Sequence, residues 1–421
     1  MKTWLTYLAA SAMGLAFELV FKESVVFSTT MYFVADIVLR LGIFIVFPLS
    51  FFTMTAGTAS LTREKGSNGY VWLSTIFWAL FTTVVLAVTA SALFRVYPAA
   101  FPVTSTTIKE AEEATALYQQ LSTSTLVRVD AANPITNNAF LNLLKSSDCL
   151  IPIAFLALIM GYAFRPTTEI VRPAYITLNS ISEVMFRLTK KVAQLLWIAI
   201  FFLSGVWFDK LWNDATVFYS WQFIILCCFI GVAVLLLVIP LIYAIATGFK
   251  RNPYRQIGRL LSAGTAGLFS ENYLFAQPAL YTDCRINLGI QKRVVSTALP
   301  IHSFITKGGT ALISTMCTCS LIYAINETLP TPVQTVTIAL ACTLASFICC
   351  LHAGYEVLFA TSFALSLLKV DIKGAEFSIL GILPLLNGIA IMFDVLLAGL
   401  GTSFTAYQLK ADCNIKERDI V

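Results

Sequence analysis

Long apolar runs recur along the first 250 residues, and they constrain this chain more than any other feature. They fall at 3–21, 31–60, 70–97, 149–164, 174–208 and 217–249, each bounded by polar or charged residues. A helix of about 20 apolar residues crosses the hydrocarbon core of a bilayer. Several such runs in series predict a polytopic helical membrane protein. Composition supports this, with 58% hydrophobic and 12% charged residues among 421. A soluble domain carries about 25% charged residues. Disorder requires low hydrophobicity and high charge, and a disulfide scaffold requires a short secreted chain, so both classes are excluded. Cys227, Cys228, Cys317, Cys319, Cys342, Cys349 and Cys350 lie inside apolar runs, where cysteine behaves as a small hydrophobe. Cys317 and Cys319 have CxC spacing, but the chain holds only two histidines and neither sits in a metal-ligand pattern.

Charge gives orientation. Arg63 and Lys65, then Arg165 and Arg172, then Lys250, Arg251, Arg255 and Arg259, and finally Lys410, Lys416 and Arg418 follow alternate spans. The positive-inside rule places these loops and both termini in the cytoplasm of a cell-membrane protein. The net charge of +5 fits that basic face rather than a nucleic-acid partner. The first run lacks a small-residue cleavage site and is expected to remain as a helix. Residues 98–148, with Lys109, Glu110, Glu112, Glu113, Arg128 and Asp130, read as a solvated excursion without a catalytic signature.

After Arg259 the apolar segments are interrupted. Residues 260–284 carry Ser270-Glu271-Asn272 and Gln277-Pro278 at their centre, and 333–368 carry His352-Ala353-Gly354-Tyr355-Glu356. Two apolar arms around a polar tip predict a re-entrant hairpin. Non-helical backbone at membrane depth persists only in protein or beside a wet cavity, and paired interruptions mark a transporter binding site. Between them, 293–325 contains Thr306-Lys307-Gly308-Gly309-Thr310, so that helix is expected to unwind with Lys307 facing protein or water. The last span, 376–408, places Asn387 and Asp394 two turns apart on one helical face. An intramembrane aspartate is a functional candidate. Tyr273, Phe275 and Tyr355 at the tips either shape a ligand pocket or pack the hairpins together.

This order resembles the dicarboxylate/amino acid:cation symporter family of glutamate transporter homologues. Arg40-Leu41-Gly42-Ile43-Phe44-Ile45-Val46-Phe47-Pro48-Leu49 resembles its second helix. Leu299-Pro300 with Gly309-Thr310-Ala311-Leu312 resembles its seventh, and Leu344-Ala345-Ser346 its second hairpin. Ile379-Leu380-Gly381 and Gly401-Thr402 bracket its eighth helix. The resemblance implies an all-α polytopic membrane protein with eight transmembrane helices plus two re-entrant helical hairpins, and an elevator mechanism. It implies a homotrimer and a small-molecule solute of the amino acid or carboxylate class. Residues 1–254 would be mainly scaffold, with helices 3 and 6 moving alongside a transport core at 255–410, and 411–421 would form a cytoplasmic tail.

The departures fall on the family's ligand set. The serine-rich tip of the first hairpin reads Glu271-Asn272-Tyr273-Leu274-Phe275, and the Asn-Met-Asp-Gly-Thr of the seventh helix reads Thr306-Lys307-Gly308-Gly309-Thr310. In the eighth helix, the family's amino-group Asp falls on Asn387, its Arg on Ala390, its substrate Asn on Asp394 and a sodium-binding Asp on Ala398. The substrate-binding set implied here is Ser270, Glu271, Asn272, Thr310, His352, Gly354, Asn387 and Asp394, with Thr306, Lys307 and Glu356 in coupling. No metal ligand is assigned. No cofactor is expected, sodium coupling is doubtful and proton coupling is open. A lysine ammonium beside Asp394 or Glu356 could supply the charge of the missing cation and load or release a proton. His302 and His352 are further titratable candidates or structural residues. No HExxH, Walker A or Ser-His-Asp set supports an enzyme. A non-transporting sensor or an anion-conducting relative is the alternative function.

Overall fold

The computed structural model describes residues 3–21, 23–63, 67–101, 150–164, 171–213, 220–349, 354–370 and 375–411. His352, Cys350, Lys65, Arg165, Lys416, Arg418 and the charged excursion beyond residue 101 lie outside the described residues.

Every regular element among the described residues is helical. The first apolar runs form α1 (Thr3–Phe21), α2 (Val25–Arg63), α3 (Ser67–Val96), α4 (Leu150–Ala163), α5 (Arg172–Asn213) and α6 (Trp221–Ala246). A π-helical turn at Val234–Val238 precedes Pro240 in α6. Proline has no backbone donor, and a π turn is a usual accommodation of a locally broken ladder. The short α7 (Pro253–Gly258) is capped by Asn252, whose side chain accepts from the amides of Tyr254 and Arg255.

The second half is built from shorter pieces: α8 (Leu261–Ser270), α9 (Tyr273–Thr282), α10 (Lys292–Ile305), α11 (Gly308–Asn326), α12 (Pro332–Ile348), α13 (Glu356–Leu367) and α14 (Leu383–Gln408). Both interrupted segments therefore form pairs of helices, α8/α9 and α12/α13, with the two arms of each pair packed on each other. In the first, Glu271 takes the left-handed conformation (φ 52°) and Asn272 caps α9 by accepting from the amides of Leu274 (2.8 Å) and Phe275 (3.3 Å). The base is closed by Asp283, which accepts from the Ser262 hydroxyl (2.6 Å), the Ala263 amide (3.1 Å) and the Asn287 amide (2.8 Å). α12 begins with a Thr331/Gln334 capping box and Pro332 in its first turn. Such caps matter where water is scarce, because each orphan backbone group at a helix end must find a partner.

Among the described residues, seven helices are long and apolar enough to cross a membrane, with α10 and α11 forming one interrupted span over Lys292–Asn326. The sequence expectation was eight. The shortfall is α4, which at 14 residues is too short to cross, and the residues preceding it lie outside the described set.

Packing divides the helices. α2 and α5 pack along one another, α1 lies against α5, and α4 lies against α2. Gly14 of α1 lies against Ser204 and the Phe201 carbonyl of α5, and the Tyr7 hydroxyl donates to the Ala193 carbonyl. Small residues permit this approach between membrane helices. α3 packs instead against α10, α11, α12 and α14, and the Trp78 indole donates to the Leu397 carbonyl at 3.0 Å. α14 is central, touching α3, α8, α9, α10, α11 and α13.

Candidate functional site

Three breaks in the backbone converge on α14. The α10–α11 break falls at Thr306 and Lys307. A lysine side chain here is 1% exposed, which demands a partner, because an isolated buried ammonium is prohibitively costly. Its Nζ lies 2.7 Å from Oε2 of Glu356, itself 4% exposed and the first residue of α13. The ion pair thus ties the helix break to the second hairpin.

Asp394 completes a network from the other side. Its Oδ1 accepts the Gly309 amide at 2.6 Å and the Thr310 amide at 3.4 Å, and its Oδ2 accepts the Thr310 hydroxyl at 2.7 Å. The Thr310 oxygen also lies 3.4 Å from Glu356 Oε2. Gly309 and Thr310 open α11, so the carboxylate sits on a helix N-terminus, where partial positive charge and free amides favour it. Gly309 is required at that approach, since a Cβ there would collide with the Ala390 carbonyl and approach the Phe393 Cβ to 2.6 Å.

Two turns earlier on α14, Asn387 accepts the Val357 amide at 3.1 Å and donates to the Gly354 carbonyl, so its side chain caps the hairpin-2 tip. The i, i+7 pair read from the sequence therefore serves two breaks, Asn387 the hairpin and Asp394 the unwound helix.

The remaining sequence candidates are placed as follows. Lys307, Thr310, Glu356 and Asp394 meet in one network, and Lys307 is paired with Glu356. Thr306 lies beside it but bonds His302, Nδ1 to Oγ1 at 2.6 Å. In the first hairpin, the Ser270 hydroxyl donates to the Asn272 carbonyl (3.1 Å) and Asn272 caps α9, so both side chains serve the tip backbone. Glu271 lies 3.5 Å from Lys210 in the last turn of α5. Phe275 faces α2, with its ring where a Cβ on Gly42 would fall. Tyr355 is exposed and packs edge-on to Phe359. Tyr273 does reach the network, its ring centre 5.8 Å from Lys307 Nζ.

Sequence reading missed Gly309 as a donor, Asp283 as the hairpin base and Lys210 as the partner of Glu271. An aspartate at the end of an apolar arm was a usable signal for Asp283. Nothing local links Lys210 to Glu271.

Sequence comparisons supply the family to which this arrangement belongs. The sodium:dicarboxylate symporter family matches residues 3–399, nearly the whole chain. The chain belongs to this family. It is 29% identical to an excitatory amino acid transporter of Onchocerca volvulus over 185 residues, 44% of this chain and 36% of that protein. It is 24% identical to the serine/threonine transporter SstT of Streptococcus suis (strain 05ZYH33) over 283 residues, 66% of this chain and 73% of that protein. The first match therefore spans about a third of the relative's length. Membership makes this a multi-pass membrane protein of a transporter family, not an enzyme.

Proposed function

We propose that this family member is a secondary transporter for a small organic solute of the amino acid or carboxylate class. In this reading the Lys307 ammonium acts as a tethered replacement for a coupling cation. The observation that carries it is the buried Lys307–Glu356 pair at 2.7 Å, which joins the unwound helix to the second hairpin. A mobile cation at that joint would let hairpin closure depend on an ion gradient. A covalently attached ammonium supplies the same charge without one.

Two further observations support the substitution. A Cβ on Gly308, where the family has an aspartate, would lie 2.5 Å from Leu397 Cδ1 and 3.0 Å from Leu86 Cδ1. Methyl groups thus fill the space a carboxylate would need. Ala398, at the other lost aspartate, is fully buried in the apolar core. A hard cation needs several oxygen ligands to replace its hydration, and these positions offer none.

The movement we infer is an elevator. Residues 255–410, with α3 and α6, travel as the transport core against a scaffold of α1, α2, α4 and α5. Hairpin tips gate the solute, with Ser270, Glu271, Asn272, Thr310, Gly354, Asn387 and Asp394 as its contacts and His352, outside the described residues, assigned the same role from the sequence. Protons on Asp394 or Glu356 are the coupling species in place of sodium. The assembly is a homotrimer in the cell membrane with both termini cytoplasmic, as the family resemblance and the basic loops suggest.

Uptake into sealed vesicles containing the purified protein tests this reading. Solute accumulation that persists without sodium and responds to a proton gradient is expected, and Lys307→Met should abolish or reshape it. Strict dependence on sodium, unchanged in Lys307→Met, would overturn the tethered-cation reading. Absence of uptake across amino acids and dicarboxylates, with ligand binding retained, would identify a sensor instead.

A further inference from the structure

Polar groups on the first hairpin are almost all spoken for. Ser262, Asn272, Asp283 and Asn287 bond within it, Thr282 donates to the Pro278 carbonyl at 2.9 Å, and the Tyr281 hydroxyl meets Thr53 of α2 at 3.1 Å. Against that background three buried atoms in α8 and α9 have no protein partner: the Tyr273 hydroxyl, the Gln277 carbonyl oxygen and the Gln277 amide nitrogen. Tyr273 is 3% exposed and Gln277 is 0% exposed.

These atoms form a strip. Residues four apart on a helix share a face, so Tyr273, Gln277 and Tyr281 are successive rungs of α9. The farthest rung from the tip is closed by Thr53, and the two nearest the tip are open. The tip end of the strip is fixed by the Tyr273 ring, 5.8 Å from Lys307 Nζ. The open strip therefore starts at the ion-pair network and runs one turn away from it.

The chemistry of the strip limits its partner. Nearby charge is already answered from within, Lys307 by Glu356 and Asp394 by the first amides of α11. Gln277 presents a donor and an acceptor side by side, and Tyr273 adds a hydroxyl that serves as either. A carboxylate offers only acceptors, so it would oppose the Gln277 carbonyl oxygen and bring an unanswered charge. An alkyl group would leave all three atoms bare. A carboxamide pairs with both atoms of Gln277 at once.

We propose that Tyr273 and Gln277 line the specificity end of the solute site. They would select an uncharged solute bearing an adjacent donor and acceptor, of the carboxamide amino acid type, over a dicarboxylate. This rests on the transport reading above and adds the substrate class. Burial of unpaired donors and acceptors gives such a site strong discrimination against analogues that cannot satisfy them.

The test is ligand-dependent thermal stabilisation and vesicle uptake by the full chain, with asparagine, glutamine, aspartate, glutamate, alanine and succinate as probes. The amides are expected to bind at least tenfold more tightly than the acids. Gln277→Leu should remove that preference, bringing the affinity for asparagine and glutamine down to that for aspartate and glutamate. Tyr273→Phe, which keeps the ring, should reduce it severalfold and stands in if the leucine variant does not fold. Tight binding of aspartate, glutamate or succinate that is indifferent to both variants would overturn the selection and leave the transport reading intact. Stabilisation by none of the six probes in folded protein would overturn both. Ordered water on these atoms with equal affinity for amides and acids would also overturn the selection.

Discussion

The spans of the first half and those of the second are similarly apolar, yet they meet different surroundings. In α1, α2, α3, α5 and α6 only 28–44% of an 18-residue apolar stretch is buried in protein, against 83% for Lys292–Asn326 and 78% for Ser378–Gln408. Side chains such as Val25, Phe33, Phe77, Leu195 and Leu237 face outward in the first group. A helix facing lipid satisfies its backbone internally and stays continuous. A segment surrounded by protein can unwind, because neighbouring helices supply the missing hydrogen bonds. Apolarity alone does not separate wall from working core. The polar interruptions and their partners do.

The sharpest way to break this contrast is to cut the buried ion pair. Lys307→Met should destabilise the detergent-solubilised protein by about 3–5 kcal/mol, because it strands a buried carboxylate. Lys307→Met with Glu356→Leu should recover much of that loss, since an apolar pair removes both charges. A single variant as stable as the parent would mean that the joint is hydrated.

A smaller effect is expected from crowding. Gly309→Ala pushes a methyl group at the Ala390 carbonyl and should cost about 3 kcal/mol in thermal unfolding, near the upper end for overpacking. Gly69→Ala in α3 meets nothing within 4 Å and should change stability by no more than about 1 kcal/mol. Equal responses would dissolve the distinction between the two halves. Asp394→Asn keeps the shape but weakens bonds to the Gly309 and Thr310 amides and the Thr310 hydroxyl, for a loss of about 2 kcal/mol. It should also weaken solute binding, measured by ligand-induced stabilisation. Wild-type affinity in that variant would confine Asp394 to holding the helix break.

The smallest effect belongs to the boundary between the halves. Lys210 and Glu271 are 3.5 Å apart, with the lysine 44% exposed, so Lys210→Glu should shift stability by less than about 1 kcal/mol. The exchange Lys210→Glu with Glu271→Lys should restore it. A larger cost would assign this contact to the buried network rather than to a sliding surface.

Much of the fold was readable before any coordinates. The first six runs became α1 to α6 with small shifts at their ends, and the breaks fell at Glu271-Asn272, Thr306-Lys307 and the residues before Glu356, where polar side chains interrupt apolar sequence. The count of eight spans was not recovered, because α4 is short over the described residues. At the site, sequence nominated Lys307 and two possible acidic partners. Packing chose Glu356, 49 positions away, and gave Asp394 to the start of α11. Ser270, Asn272 and Asn387 were nominated for solute contact, and their side chains bond hairpin backbone. Such bonds leave no local signature, since the same residue types suit a cap and a ligand.

Local composition sets which segments can reside in a membrane and where they cannot remain regular helix. Both follow from the transfer free energy of residues close together in the chain. Long-range packing selects which buried polar groups answer one another, and it leaves the Tyr273 hydroxyl and the Gln277 amide without protein partners. That outcome depends on distances of a few ångströms between residues tens to hundreds of positions apart, which helix packing sets and local composition does not.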